Sequence, residues 1–165
     1  QISATFVNLP AAEVDVEIEY GLQRLCECLD VERSTLFEYL QHEGELRVTH
    51  SWAVHGIDPV PHVLAKDHWP QAYERVLSGK PWMFSRVEEL PDQAALEKEY
   101  YTRIGLKSSL GIPLEVGGSI VGALTINAFR NERSWSDKLI KRLRLVGEIF
   151  ANALQRKRAA TRCRR

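Results

Sequence analysis

The stretch Leu110–Phe129, LGIPLEVGGSIVGALTINAF, constrains this chain more than any other. Two runs rich in Val, Ile and Leu flank Gly117-Gly118, and neither carries a charge at its centre. A Gly-Gly pair supplies positive φ without steric cost, so it closes a two-residue hairpin. Arms this apolar imply a central antiparallel hairpin buried on both faces, which the rest of the chain has to cover.

An uninterrupted register assigns the faces. Val116 then sits opposite Ser119, Leu114 opposite Val121 and Ile112 opposite Ala123, and paired residues point the same way. One face carries Leu110, Ile112, Leu114, Val121, Ala123, Thr125 and Asn127. Apolar with a few polar atoms, it suits a small-molecule pocket wall. The other carries Ser109, Gly111, Pro113, Ile120, Gly122, Leu124 and Ile126. Its notches at Gly111 and Gly122 suit close approach of a helix. A slip of one residue exchanges these assignments.

From Ala11 to Asp30, Val14, Ile18, Leu22, Leu25 and Leu29 recur at helical spacing in an acidic stretch. Ser34–Leu40 and Leu46–Ala53 read as strands, with Leu46, Val48, His50 and Trp52 alternating against polar residues. His55–His68 is a loop. Pro70 opens a short helix that stops at Ser78-Gly79-Lys80-Pro81. Trp82–Val87 reads as a strand, and Asp92 is placed to cap a helix that Gly105 ends. Ser136 and Asp137 start the last helix, which runs to about Arg158. Leu139, Leu143, Val146, Phe150 and Ala153 form one stripe on it, and Ile140, Leu145, Ile149 and Leu154 a second. Two apolar sides imply two partners, the sheet and a neighbouring subunit. The acidic first helix and the basic last one are expected side by side, each exposed pair contributing roughly 0–1 kcal/mol.

Length bounds the organisation: 165 residues suit a single domain, residues 1–158, followed by a basic tail or linker at 159–165. Zero formal net charge argues against a nucleic-acid platform, and the tail lacks interleaved aromatics. No run approaches the roughly 20 apolar residues of a membrane span, and no secretory pattern occurs. A first residue other than Met suggests a piece of a longer protein. The odd set Cys26, Cys28 and Cys163 points to reduced thiols and a cytoplasmic setting. No phosphate loop, HExxH, SxxK, GxSxG or C-x₂-C occurs, and His42, His50, His55, His62 and His68 match no common ligand spacing. No nucleophile with a partner is identifiable, so no enzymatic activity and no metal site is expected.

Trp52, Trp69 and Trp82 fall near the loops that would cover one sheet face, while Trp135 packs the start of the last helix. The order of elements, with RSTLFEYLQHEGELRVTHSW in the first hairpin and SSLGIPLEVGGSIVGALTINAF in the second, resembles the GAF domain family. RSWSDKLIKRLRLVGEIFANALQRKRA is similar to that family's closing helix running into a linker. The resemblance implies an α+β fold: a GAF/PAS-like antiparallel sheet of five or six strands. Terminal helices would cover one face, and loops with short helices would cover a pocket on the other. It also implies a sensory module upstream of a histidine kinase, a diguanylate cyclase or a transcription activator. The chain lacks the NKFDE-type motif of cyclic-nucleotide binders, a lid cysteine for bilin attachment and the pocket thiols of sulfoxide-reducing members, so its cofactor is unknown. The expected partners are a second copy through the terminal helices, an output domain in cis and an unidentified small molecule. Phe37, Trp52, Trp69, Trp82, Ile112 and Thr125 are the expected ligand-binding residues. The alternative is a ligand-free dimerisation and relay module.

Overall fold

A computed structural model describes residues 13–163, with side chains described to residue 159. Ala11, where the first helix was expected to begin, lies outside the described residues, as do Arg164 and Arg165 of the tail. The elements are α1 (Val14–Leu29), β1 (Arg33–Leu40), β2 (Glu45–Ala53), α2 (Ala65–His68), α3 (Pro70–Leu77), β3 (Trp82–Phe84), α4 (Ala95–Ile104), β4 (Ser108–Val116), β5 (Ser119–Ala128) and α5 (Asp137–Cys163). The five strands form one antiparallel sheet in the order β2-β1-β5-β4-β3, so the Gly-Gly hairpin lies inside it.

Each sheet face has its own core. Val14, Ile18, Leu22 and Leu25 of α1, with Ile140, Leu143, Phe150 and Leu154 of α5, bury one face. Gly147 brings α5 close to β4: a Cβ there would lie 2.2 Å from Leu114 Cδ2. Asp15 of α1 pairs with Lys157 of α5, which sets acidic helix against basic helix as their compositions suggest. The Ser136 hydroxyl accepts from the Leu139 amide at 3.1 Å and so caps α5. The second core lies under α2, α3 and α4 and includes Phe37, Val48, Trp69, Trp82, Phe84 and Tyr101.

Two bulges correct the expected faces. The two-residue loop forms, with Gly117 and Gly118 at φ 59° and 81° and Val116 paired with Ser119. Glu115 then pairs with Ile120, but Leu114 pairs with Gly122, leaving Val121 as an extra residue on β5. That extra residue exchanges the two faces of β4. Leu110, Ile112 and Leu114 therefore join Leu124 and Ile126 beneath the helices. Ser109 and Gly111 join Ala123, Thr125 and Asn127 on the opposite face. In β2, Leu36 pairs with His50 but Phe37 with Val48, so Thr49 is extra. Leu46 and Val48 consequently lie on the lid side, while His50 and Trp52 face the helices.

Two smaller expectations also change. The strand at Trp82 ends at Phe84, before a 3₁₀ turn at Val87–Glu89. Asp92 makes no capping hydrogen bond, because a 3₁₀ turn at Asp92–Ala94 separates it from α4.

Candidate ligand pocket

The sheet face away from α1 and α5 holds a cavity roofed by α2, α3 and α4 and bordered by the edge strand β3. Its floor comes from alternate residues of three strands. Arg33 and Phe37 come from β1, Ser109 and Gly111 from β4, and Ala123, Thr125 and Asn127 from β5. Trp69, Ala72, Tyr73, Val76, Trp82, Tyr100 and Tyr101 form the walls and roof. The space open to the centre of a water-sized sphere is about 60 Å³.

Local chemistry fixes the roof. Glu97, fully buried on α4, accepts through Oε2 from the amides of Gln71 at 2.7 Å and Ala72 at 3.1 Å. A carboxylate from one helix therefore satisfies the free amides at the start of α3. The Tyr73 hydroxyl donates to the Gly44 carbonyl, which pins α3 to the β1–β2 turn. The Trp69 ring packs edge-on against Phe37, with centroids 5.9 Å apart, and against Tyr100 at 5.3 Å. Trp82 Nε1 donates to the Tyr101 hydroxyl at 3.2 Å. Burial pushes the Tyr101 phenol well above its ordinary value, so it stays protonated.

The polar floor is one connected set. Arg33 Nε donates to Asn127 Oδ1 at 2.8 Å, and Asn127 Nδ2 donates to Ser109 Oγ at 2.9 Å. Arg33 Nη1 donates to the Asp58 carbonyl at 3.2 Å, and its guanidinium lies 5.1 Å from the Phe129 ring centroid. Burial lowers the pKa of this arginine, against opposing contributions from Tyr100, Tyr101 and Asp58. Deeper under the loop, the Thr35 and Ser51 hydroxyls are 2.9 Å apart, and the Val60 amide donates to Ser51 Oγ.

Of the six residues expected to contact a ligand, Phe37, Trp69, Trp82 and Thr125 line this cavity. Ile112 and Trp52 do not. Ile112 is fully buried in the helix-side core, and Trp52 packs against that same core, each displaced by one of the two bulges. Arg33, Ser109, Asn127 and the tyrosines were not among the expected ligand contacts, although Asn127 was placed on the pocket-wall face. A signal existed for two of them. Asn127 is two residues beyond Thr125 on the same face of β5, and Arg33 is two residues before Thr35 on β1.

The family model for the GAF domain matches residues 18–154. The chain belongs to the GAF domain family. A search of curated proteins gives no match. Among solved structures, this GAF domain is similar to the phycoerythrobilin-bound GAF domain of a cyanobacterial phytochrome, with a TM-score of 0.75 and 18% identity over 97% of this chain and 94% of that one. The blue-light-absorbing form of the PixJ GAF domain of Thermosynechococcus elongatus aligns with a TM-score of 0.70 and 13% identity, covering 95% of this chain and 94% of that one. A GAF domain region from Geobacter sulfurreducens aligns at 0.68 with 17% identity, covering 87% and 94%. Identities this low speak for the fold alone.

The pocket does not fit a covalently attached bilin. Its lining contains no cysteine to carry the thioether link such a group requires. Cys26 and Cys28 lie on α1, across the sheet. Among the described residues no group of three His, Cys, Asp or Glu is placed to hold a metal ion, and no helix is long and apolar enough to cross a membrane.

Proposed function

We propose that this GAF domain is a small-molecule-sensing regulatory module of a cytoplasmic bacterial signalling protein, without enzymatic activity of its own. One observation carries the reading: a cavity between sheet and lid has polar groups, Arg33 foremost, built into an otherwise apolar lining. A side-chain-filled interior would suit pure relay; an interior with inward polar groups suits a guest. Binding would draw α3 and α4 onto the sheet. Asp15 bridges His50 of β2 to Lys157 of α5, so a shift of the sheet can reach both terminal helices and an output domain beyond them. The ligand acts only through its differential affinity for two arrangements.

The test is a thermal-shift screen of metabolites, followed by output measurements in the full-length protein. A ligand that raises the melting temperature in the wild type but not in a Thr125→Leu variant supports sensing. Absence of any such ligand, with output unchanged in pocket variants, defeats it. A second reading, ligand-free dimerisation and relay, draws on Val16 and Tyr20 of α1 and Leu145 of α5, which are 70%, 52% and 62% exposed. Light scattering on the wild type and on V16E/L145E tests the homodimer.

A further inference from the structure

Resting on the sensing function just proposed, we infer that the ligand is a small monoanion, a short-chain carboxylate bound at Arg33 with its hydrocarbon end against Phe37, Trp69 and Trp82. The argument begins with an unanswered charge. Arg33 is 6% exposed, yet among the described residues it makes no ion pair. Its protein partners are the Asn127 amide oxygen, the Asp58 main-chain carbonyl and the Tyr100 hydroxyl, none of them a carboxylate. The Asp58 carboxylate belongs to an exposed residue and contributes only at longer range. A buried cation in this state gains strongly from an anion, and a guanidinium presents the planar fork that a carboxylate matches.

A second, independent group points the same way. The indole N–H of Trp69 is buried without a hydrogen-bond partner, and Trp69 lines the same cavity as Arg33. An indole nitrogen can only donate. Three acceptors of the lining are engaged: Asn127 Oδ1 by Arg33, Ser109 Oγ by Asn127, and the Tyr101 oxygen by Trp82. The Tyr73, Tyr100 and Thr125 hydroxyls, which can donate or accept, complete its polar groups. The buried charge of Arg33 and the unspent indole donor of Trp69 favour an acceptor-only anion, and the same charge repels an ammonium group.

Size and polarity narrow the class. The space open to the centre of a water-sized sphere, about 60 Å³, sits among aromatic side chains and suits a compact ligand. One buried cation matches one negative charge, and the aromatic walls suit a short hydrocarbon end.

Isothermal titration and thermal shift of this chain at matched ionic strength, with propionate, the near-isosteric neutral propionamide and propylammonium, provide the test. Propionate is expected to bind at least about tenfold more tightly than propionamide, propylammonium not at all, and Arg33→Met to remove the preference. Should Arg33→Met fail to fold, the wild-type comparison of propionate with propionamide decides alone. Equal binding of acid and amide, or a preference that survives Arg33→Met, overturns the carboxylate assignment and leaves small-molecule sensing standing. Binding by none of the three also overturns it, and the metabolite screen then judges sensing separately.

Discussion

Arg33 and Asn127 face each other across β1 and β5, and Arg33 Nε donates to Asn127 Oδ1 at 2.8 Å. The amide satisfies a hydrogen bond but leaves the charge unmatched. Asn127→Asp would put a carboxylate in the same place, and the Ser109 hydroxyl could turn to donate to its second oxygen. The guanidinium is already desolvated, so the new attraction is opposed only by the cost of burying the aspartate. We expect N127D to gain about 1 kcal/mol of stability at neutral pH, measured by urea unfolding, and to lose propionate binding. Arg33 would hold the new carboxyl below its unfolded value. The gain is then complete above about pH 4 and is lost as pH falls through the lower folded pKa.

Gly122 marks where the β1–β5 pairing tolerates no side chain. A Cβ there would come within 2.2 Å of the Phe37 carbonyl oxygen, which is backbone and cannot swing away. Gly122→Ala is expected to cost about 3 kcal/mol or more. Gly118→Ala is the control. It meets nothing within 4 Å but retains a φ of 81°, so only backbone strain of about 1–2 kcal/mol applies. Chemical denaturation of both variants checks the order.

These register details explain what the sequence could and could not reveal. Alternation along β5 correctly placed Thr125 and Asn127 opposite Leu124 and Ile126. The same alternation carried across the hairpin misplaced Ile112, because Val121 is an extra residue that no propensity marks. Trp52 went astray for the same reason at Thr49, where four alternating residues look like one face but are split between two. The terminal helices were legible because their stripes are long and their charges opposed. Arg33 was not, because an arginine opening a strand ordinarily meets water. Its burial depends on the β2–α2 loop, through the Asp58 carbonyl, folding back over it.

The roof of the pocket depends on Glu97. Its Oε2 serves the first amides of α3, while Oε1 is buried without a partner. Glu97→Ala removes two charge-assisted hydrogen bonds and leaves a void in the lid-side core. An expected loss of about 3 kcal/mol follows. The local signature is faster hydrogen exchange at Gln71 and Ala72 with little change along α1. Equal acceleration throughout would mean global destabilisation rather than a loosened lid.

Cys26 and Cys28 should differ sharply in reactivity. Burial pushes the Cys26 thiol up to about 11, whereas Cys28, two residues on, is exposed. Brief alkylation of the native protein at mildly alkaline pH, read by peptide mass spectrometry, is expected to modify Cys28 and spare Cys26. The raised value also makes the folded state prefer the neutral thiol. Stability from this group is complete below the ordinary thiol pKa of 9.0 and is lost as pH rises towards about 11. Cys26→Ala should flatten that alkaline decline.

Asp15 is the point where the sheet meets both terminal helices. Its Oδ1 lies 2.8 Å from His50 Nε2, and its Oδ2 accepts from Lys157. Partial burial opposes its ionisation, but Lys157 and His50 outweigh that and hold its pKa below the ordinary 3.8. Its contribution is therefore complete above 3.8 and is lost as pH falls through the lower folded value. Asp15→Asn keeps the shape but removes the charge that attracts Lys157. The side chain is half exposed, so the stability change at neutral pH is expected to be small, about 1 kcal/mol or less. The larger effect falls on relay. Ligand binding lies across the sheet and should keep its affinity in D15N, while hydrogen exchange near Lys157 in α5 should rise and the output response of the full-length protein should weaken. Unchanged output with weakened helix contact would remove Asp15 from the route.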